Sequence, residues 1–432
     1  MKRSLFILAT SLWAIVAVAV FTRTWFAVDQ SRKISPEVLA TVSFAQEAGS
    51  IAYSLSAGHG FSAPFRKDTG PTAWLAPVYP VVLATLFRIF GAFTLHTFYA
   101  AAALNVLFST AATIPLYFAA RRVGGIGVAS LAAWLWAIFP NAFVIPFEWI
   151  WDTSLSALLG AAILWATLAL PGRSPRAWTA YGLLGGLSLL TNPSLGALFP
   201  FLFVWLAFQQ RKSPGPWVPR PLLAATVAVL CCLPWTIRNY GAFHRFIPLR
   251  SNFPFELWLG NNEVFDDESR NVMARVTIYG EVRRYVQLGE SAFMDEKWNK
   301  ATTFIAAHPK LELRLTRDRF VAMWLGTPHP FRDFLASDSF LARISLLANA
   351  VVALGTLAGI VVLSIHKNSL AWPLAAFPTV FPCVYYFTHA SLRYRHPVDP
   401  VLVLLTAVSL VAAYQWIARK IEGMPEEGAK LP

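Results

Sequence analysis

Apolar runs of membrane-spanning length alternate with short polar breaks along most of the chain. They fall near residues 4–22, 97–119, 126–146, 153–170, 177–191, 195–208, 221–237, 341–365, 370–388 and 399–417. A helix that crosses a bilayer needs about 20 mostly apolar residues. The pattern therefore predicts an all-α polytopic membrane protein with about 10 transmembrane helices. The runs 177–191 and 195–208 are short and joined through Thr191, Asn192 and Pro193, which suits a thin or tilted hairpin. An eleventh stretch, 73–92, opens with Pro77-Val78-Tyr79-Pro80 and carries Arg88, so it reads as less than a clean span.

The cationic breaks orient these runs. Met1-Lys2-Arg3 precedes the first run, and short breaks carry Arg121-Arg122, Arg173 with Arg176, Arg211-Lys212 with Arg220, His366-Lys367 and Arg419-Lys420. Short Lys/Arg-rich loops stay on the cytoplasmic side. All of them share that side, together with both termini, if 73–92 does not cross; it is then an outer juxtamembrane helix. The first run, Leu5 to Phe21, is longer than most signal-peptide cores, which predicts a retained anchor. The organisation expected is an N-terminal transmembrane bundle, 1–237, whose first outer loop is 23–96; a small extracytoplasmic helical segment, 238–340; C-terminal transmembrane helices, 341–418; and a cytoplasmic tail, 419–432.

Composition agrees with this and removes other classes. Of 432 residues, 56% are hydrophobic and 14% charged, and mean hydropathy is +0.51. A soluble domain carries about 25% charged residues, so a water-soluble globule and a disordered chain are both excluded. The net charge of +13 is accounted for by orienting loops, without a nucleic-acid partner. Cys231, Cys232 and Cys383 lie in apolar runs and form no disulfide framework or CxxC site.

Polar chemistry gathers on the outer side. Between Pro36 and Ala57, Val38, Leu39, Val42, Ile51 and Leu55 recur at helical spacing until Gly58-His59-Gly60 stops them. This amphipathic helix carries Glu47. Asp152 ends the run Pro146 to Trp151 and opens the next span, where it reads either as a helix cap or as an ionisable group at a bundle mouth. Arg238, Arg245 and Arg250 follow the seventh run on the side where cations are disfavoured, and arginine suits bidentate phosphate recognition. Asn252, Asn261 and Asn262 add neutral donors and acceptors, and 290–325 reads as two amphipathic helices broken at His308-Pro309. A last outward cluster, His389 to Pro397, holds Arg393, Tyr394, Arg395 and His396. No Walker loop, HExxH, GxSxG or GxGxxG in a fitting context occurs.

Several segments together resemble the C-type (GT-C) glycosyltransferase superfamily, whose members include bacterial protein O-mannosyltransferases and aminoarabinose transferases. They are EAGSIAYSLSAGHGFS, GPTAWLAPVYPVVLATLFRIFG, EWIWDTSLSALL, PWTIRNYGAFHRFIPLRSN with ELWLGNN, and YYFTHASLRYRHPVDP, in the expected order. The superfamily carries an Asp or Asp-Glu pair early in its first outer loop. This chain has no such pair; Glu47, preceded by Gln46, is the nearest equivalent, with Asp29 and Glu37 as substitutes. Asp152 matches the acid placed before an outer helix start, and Arg393 and Arg395 resemble positions near the donor phosphate.

The resemblance implies an inverting transferase of the bacterial inner membrane, working at its outer face from a polyprenyl-phosphate sugar. Glu47 or Asp152 would activate the acceptor hydroxyl of a lipid, protein or glycan. Arg238, Arg250, Arg393 and Arg395 would contact the donor phosphate. Tyr394, His396, Asn252, Asn261, Asn262, Trp258 and His59 would line the donor or acceptor site. A divalent metal stays open, since the carboxylates show no ligand spacing. The competing readings are an O-antigen ligase or polymerase with a lipid-diphosphate donor, and a transporter.

Overall fold

The computed structural model describes residues 10–33, 44–65, 67–214, 216–262 and 280–422. Among them no strand forms; one isolated bridge joins Ser62 and Pro71. Within the described residues, six segments are long and apolar enough to cross a membrane: Leu12–Ser31, Leu95–Ile138, Pro193–Arg211, Pro219–Phe243, Phe340–Ile365 and Leu392–Ile421.

The difference from ten runs has local causes. Leu95–Ile138 holds two of the expected runs, in helices α4 (Leu95–Ala111) and α5 (Thr113–Ile138). Gly124 and Gly125 break α5, the latter at φ 70°, a backbone region that glycine enters without a Cβ clash. The chain then folds back on itself: Ser109 Oγ donates to Ala142 O at 2.7 Å and Asn105 Nδ2 to Pro146 O at 3.2 Å, two antiparallel rungs centred on that glycine pair. The expected run 370–388 divides into Ala371–Thr379 and Cys383–Phe387, because Pro378 and Pro382 deny the helix its amide donors. The short hairpin appears as α8 (Pro175–Thr191), a 3₁₀ turn at Pro193–Leu198 and α9 (Phe199–Arg211), with Asn192 Oδ1 accepting from Ser194 N.

Helix α3 (Val78–Phe90) has 13 residues, about 20 Å at 1.5 Å per residue, against a hydrocarbon core of about 30 Å. It cannot cross. Instead Leu83 and Phe87 bury against Ala48, Ile51 and Phe44 around helix α2 (Gln46–Ser56).

Hydrogen bonds draw the basic breaks to one end of the bundle. Arg122 reaches Leu168 O, Gly172 N reaches Gln210 Oε1, and Trp205 Nε1 reaches Ser369 O. Helix α7 (Thr153–Ala169) runs from this end, its 17 residues covering about 26 Å, to Asp152 at the other. Outside the bundle, helix α11 (Phe253–Gly260) lies on an aromatic cluster, with Phe255 4.9 Å from Trp74 and 5.8 Å from Phe293. Helices α12 (Glu290–Ala307) and α13 (Pro309–Leu325) meet at a break on His308.

Candidate active site

At the end opposite the basic breaks, Asp152, Arg250, Glu256, His389, Arg393 and Tyr394 line one compact cavity of about 60 Å³. The bundle supplies Asp152. Its side chain makes no cap bond to a backbone amide and accepts instead from Ser156 Oγ at 3.1 Å, so the carboxylate stays available to the cavity. Burial lifts its pKa to about 6, opposed by Arg250, the Ser156 bond and Arg393.

Glu256 lies in the first turn of α11 between the buried Phe255 and Leu257 and lines the cavity. Asn252 Nδ2 donates to it at 2.8 Å, and His389 Nδ1 stands 3.4 Å from its other oxygen. Burial raises this carboxyl too, against the pull of Arg250 and Arg393. Glu47 opens α2 directly after Ala45 and Gln46, two non-glycine residues at φ 64° and 38°. Left-handed conformations of this kind cost about 1–2 kcal/mol per residue and concentrate at functional sites. Burial pushes Glu47 from its ordinary 4.5 to about 7, helped by Glu256 and opposed by Arg393. The three carboxylates and two arginines thus share one electrostatic neighbourhood.

Arg393 sits with its guanidinium 4.1 Å over the ring of Trp149 and donates Nη2 to Tyr394 OH, while buried Nη1 has no hydrogen-bond partner. Tyr394 OH also meets His389 Nε2 at 2.6 Å. A chain of contacts therefore runs from Glu256 through His389 and Tyr394 to Arg393. The free donor suits an anionic group, since a buried N–H costs free energy until it finds an acceptor.

The other expected residues lie elsewhere. Arg395 and His396 are fully buried: Arg395 donates to Asp399 at 2.7 Å, to Trp324 O at 2.5 Å and to Asn349, and His396 meets Asp399 at 3.1 Å. Every guanidinium nitrogen of Arg395 is already engaged, so it has none left for a substrate phosphate. Two residues along a helical turn of 3.6, Arg393 and Arg395 face nearly opposite ways. Arg238 donates to Thr72 O and Phe61 O, both at 2.6 Å, beside a separate cavity that His59 also lines. Asn261 is buried, donating to Leu257 O and Phe387 O and accepting from Arg319. Trp258 and Asn262 border a third cavity with Asn299 and Thr303. Asp29 pairs with Lys33 at 2.7 Å on the exposed end of Leu12–Ser31, and Glu37 lies outside the described residues.

The sequence candidates did not include Glu256, and they held His389 only as the first residue of the outward cluster. The available signal was a lone acid in the apolar stretch FPFELWLG, whose histidine partner lies far along the chain. No three His, Cys, Asp or Glu side chains among the described residues come close enough to hold one metal ion.

No family model matches the sequence, and no curated protein sequence does either. Among solved structures the chain is similar to the archaeal oligosaccharyltransferase AglB from Archaeoglobus fulgidus in complex with an inhibitory peptide and a dolichol-phosphate. Identity is 14% and the TM-score 0.52, over 98% of this chain and 52% of that one. The apo form of the oligosaccharyltransferase from the same organism gives 13% identity and a TM-score of 0.51, over 98% and 53%. ArnT from Cupriavidus metallidurans in the apo state is 16% identical, over 88% of this chain and 76% of that one, with a TM-score of 0.36. The chain spans about half the length of the oligosaccharyltransferase. At this identity the likeness is one of fold: over nearly its whole length this chain shares the fold of the matched half of the archaeal oligosaccharyltransferase.

Proposed function

We propose that the chain is a membrane glycosyltransferase that moves a sugar from a polyprenyl-phosphate donor to an acceptor hydroxyl at the outer face of a bacterial inner membrane. The observation that carries this is the cavity where Asp152 and Glu256 meet Arg250 and Arg393, at the bundle end away from the basic breaks. The AglB structure contains a dolichol-phosphate, which supports a lipid-linked donor here.

The chemistry follows from charge. A carboxylate takes the proton of the acceptor hydroxyl as its oxygen bonds to the anomeric carbon. The bond from that carbon to the phosphate oxygen breaks, and its electron pair stays on the lipid phosphate. Arg250 and the free Nη1 of Arg393 offset the charge that develops there, a contribution that is large in a water-poor site. Glu47 is the preferred base, because a group titrating at about 7 is matched to proton transfer near neutral pH. Asp152, nearer to Arg250, keeps the donor side polarised. A single displacement of this kind inverts the anomeric centre.

The test uses the purified chain in proteoliposomes with a cell-envelope extract as acceptor, comparing the same labelled sugar on polyprenyl phosphate and on polyprenyl diphosphate. Transfer from the monophosphate is expected, with Asp152→Ala lowering it. Full transfer by both Asp152→Ala and Glu47→Ala sinks the reading, and a strict need for the diphosphate moves it to a ligase or polymerase. A related expectation concerns Gly260, where a Cβ would stand 1.7 Å from Thr388 O. Gly260→Ala must push the 388–389 loop away, parting His389 from Glu256. Misplacement by about 1 Å can cost about 10²-fold in rate, to be read in the same assay beside a thermal-shift control.

A further inference from the structure

The hairpin of α8 and α9 joins the two ends of the bundle. Its base lies among the basic breaks, where Gly172 N donates to Gln210 Oε1 at 3.0 Å. Its tip, the turn through Asn192 and Pro193, reaches the other end, where Asn192 lines the same cavity as Asp152, Arg250, Glu256 and Arg393. A residue before proline is held out of the helical region, and Asn192, at φ −140° and ψ 98°, ends α8 there. Packing then fixes the turn. Asn192 N donates to Ser188 O at 2.8 Å, Leu195 N donates to Asn192 O at 3.1 Å, and the side chains of Leu195 and Leu198 are fully buried. Tyr385 OH donates to Ser194 Oγ at 2.9 Å and stacks its ring on Tyr394 at 5.1 Å, and Tyr394 OH accepts from Arg393 Nη2. The tip and Arg393 thus belong to one packed assembly.

The amide of Asn192 is oriented by its neighbour. Its Oδ1 accepts from Ser194 N at 3.1 Å. Ser194 N–H can only donate, so the near atom of the amide is its oxygen and the NH2 is the end left over. No hydrogen bond joins that NH2 to another described residue. The polar groups around the cavity then divide by chemistry. Asp152 and Glu256, once ionised, only accept; Arg250, Nη1 of Arg393 and Nδ2 of Asn192 only donate. A sugar hydroxyl both donates and accepts, whereas the anionic oxygens of a phosphodiester only accept. Such a phosphate satisfies donor-only groups without bringing a hydrogen of its own against them. In a space of about 60 Å³, one bound group meets several walls at once.

We propose that Asn192 is a phosphate-binding residue, its side-chain NH2 donating to an oxygen of the donor lipid's phosphate beside Arg250 and Nη1 of Arg393. This rests on the transferase reading above. It adds a neutral donor to two cationic ones and gives the α8–α9 hairpin a task besides crossing the bundle: its tip carries that donor to the site.

The test is a scintillation-proximity titration of the full chain in nanodiscs with tritiated polyprenyl phosphate, and with tritiated polyprenol as the contrast that lacks the phosphate. Asn192→Asp and Asn192→Ser each keep an oxygen for Ser194 N–H, since Asn, Asp and Ser serve such a turn about equally well. Both lose the NH2. Melting temperatures within a few degrees of the parent's are therefore expected. Affinity for polyprenyl phosphate should fall about 10-fold in Asn192→Ser, the usual worth of a hydrogen bond to a charged group, and further in Asn192→Asp, which sets an anion against the phosphate. Polyprenol binding should not change. Asn192→Ser, which adds no charge, decides the matter if Asn192→Asp does not fold. Parent-like affinity in both variants, the result for an amide that only holds the turn, overturns the assignment. So does an equal loss for polyprenol, or a parent that binds no polyprenyl phosphate. Phosphate binding that depends on Asn192 in a chain that transfers no sugar overturns the transferase reading alone; sugar transfer with parent-like donor affinity in both variants overturns this assignment alone.

Discussion

Glu47→Gln is expected to lower sugar transfer about 10²- to 10⁴-fold, the usual contribution of a positioned general base, while leaving donor binding within a few-fold of the parent. The amide keeps the side chain's shape but has no carboxylate to take the acceptor's proton. Parent activity should rise with pH through about 7, where Glu47 loses its proton, and the variant should lose that limb of the profile. The stability effect has the opposite sign. A carboxyl held at about 7 when folded, against 4.5 ordinarily, binds more protons in the folded chain between those values. Its stabilising contribution is therefore complete below pH 4.5 and is lost as pH rises through about 7. Thermal melts of Glu47→Gln should be flatter than the parent's across that window. A variant with full activity and an unchanged pH profile rules out Glu47 as the base and leaves Asp152, whose pKa of about 6 would place the limb lower.

Arg393 and Arg395 are expected to fail in different ways when each is replaced by Ala. Arg393→Ala removes the one buried guanidinium nitrogen in the cavity that has no partner. The chain should fold normally and lose about 10²- to 10³-fold in turnover, the range for removing one preorganised donor to a developing oxyanion. Arg393→Lys should recover part of this, since an ammonium supplies charge without the planar fork. Arg395→Ala leaves Asp399 buried with His396 and Asn141 and without its main cation. Breaking a buried pair from one side costs about 3–5 kcal/mol, so folded yield and melting temperature should drop with no specific change in donor affinity. Yield after detergent extraction, together with transfer per folded molecule, separates the two. A well-folded Arg395→Ala with weakened donor binding would reverse the roles assigned here.

That contrast marks the boundary between what is written locally in the chain and what is not. Membrane class and helical make-up are properties of nearby residues: hydropathy over a window. Proline and glycine positions also act locally, so the break at His308-Pro309 and the hairpin at Asn192-Pro193 were legible in advance. The count of spans was less so, because Pro378 and Pro382 interrupt a run that hydropathy alone reads as continuous. Glu47, Asp152, Arg250 and Arg393 could be nominated from their types and side. Which arginine faces the cavity could not be, because Arg393 and Arg395 have the same chemistry and nearly the same neighbours in sequence. Their roles separate only when packing supplies Asp399 and Asn349 to one and an open cavity to the other. The pairing of Glu256 with His389 is likewise a product of packing: Gly260 lets α11 press against the loop after Thr388. Local sequence sets which groups are available and on which side they emerge. Desolvation and long-range contact decide which of them stay unpaired, and an unpaired buried donor is what a site for a charged substrate requires.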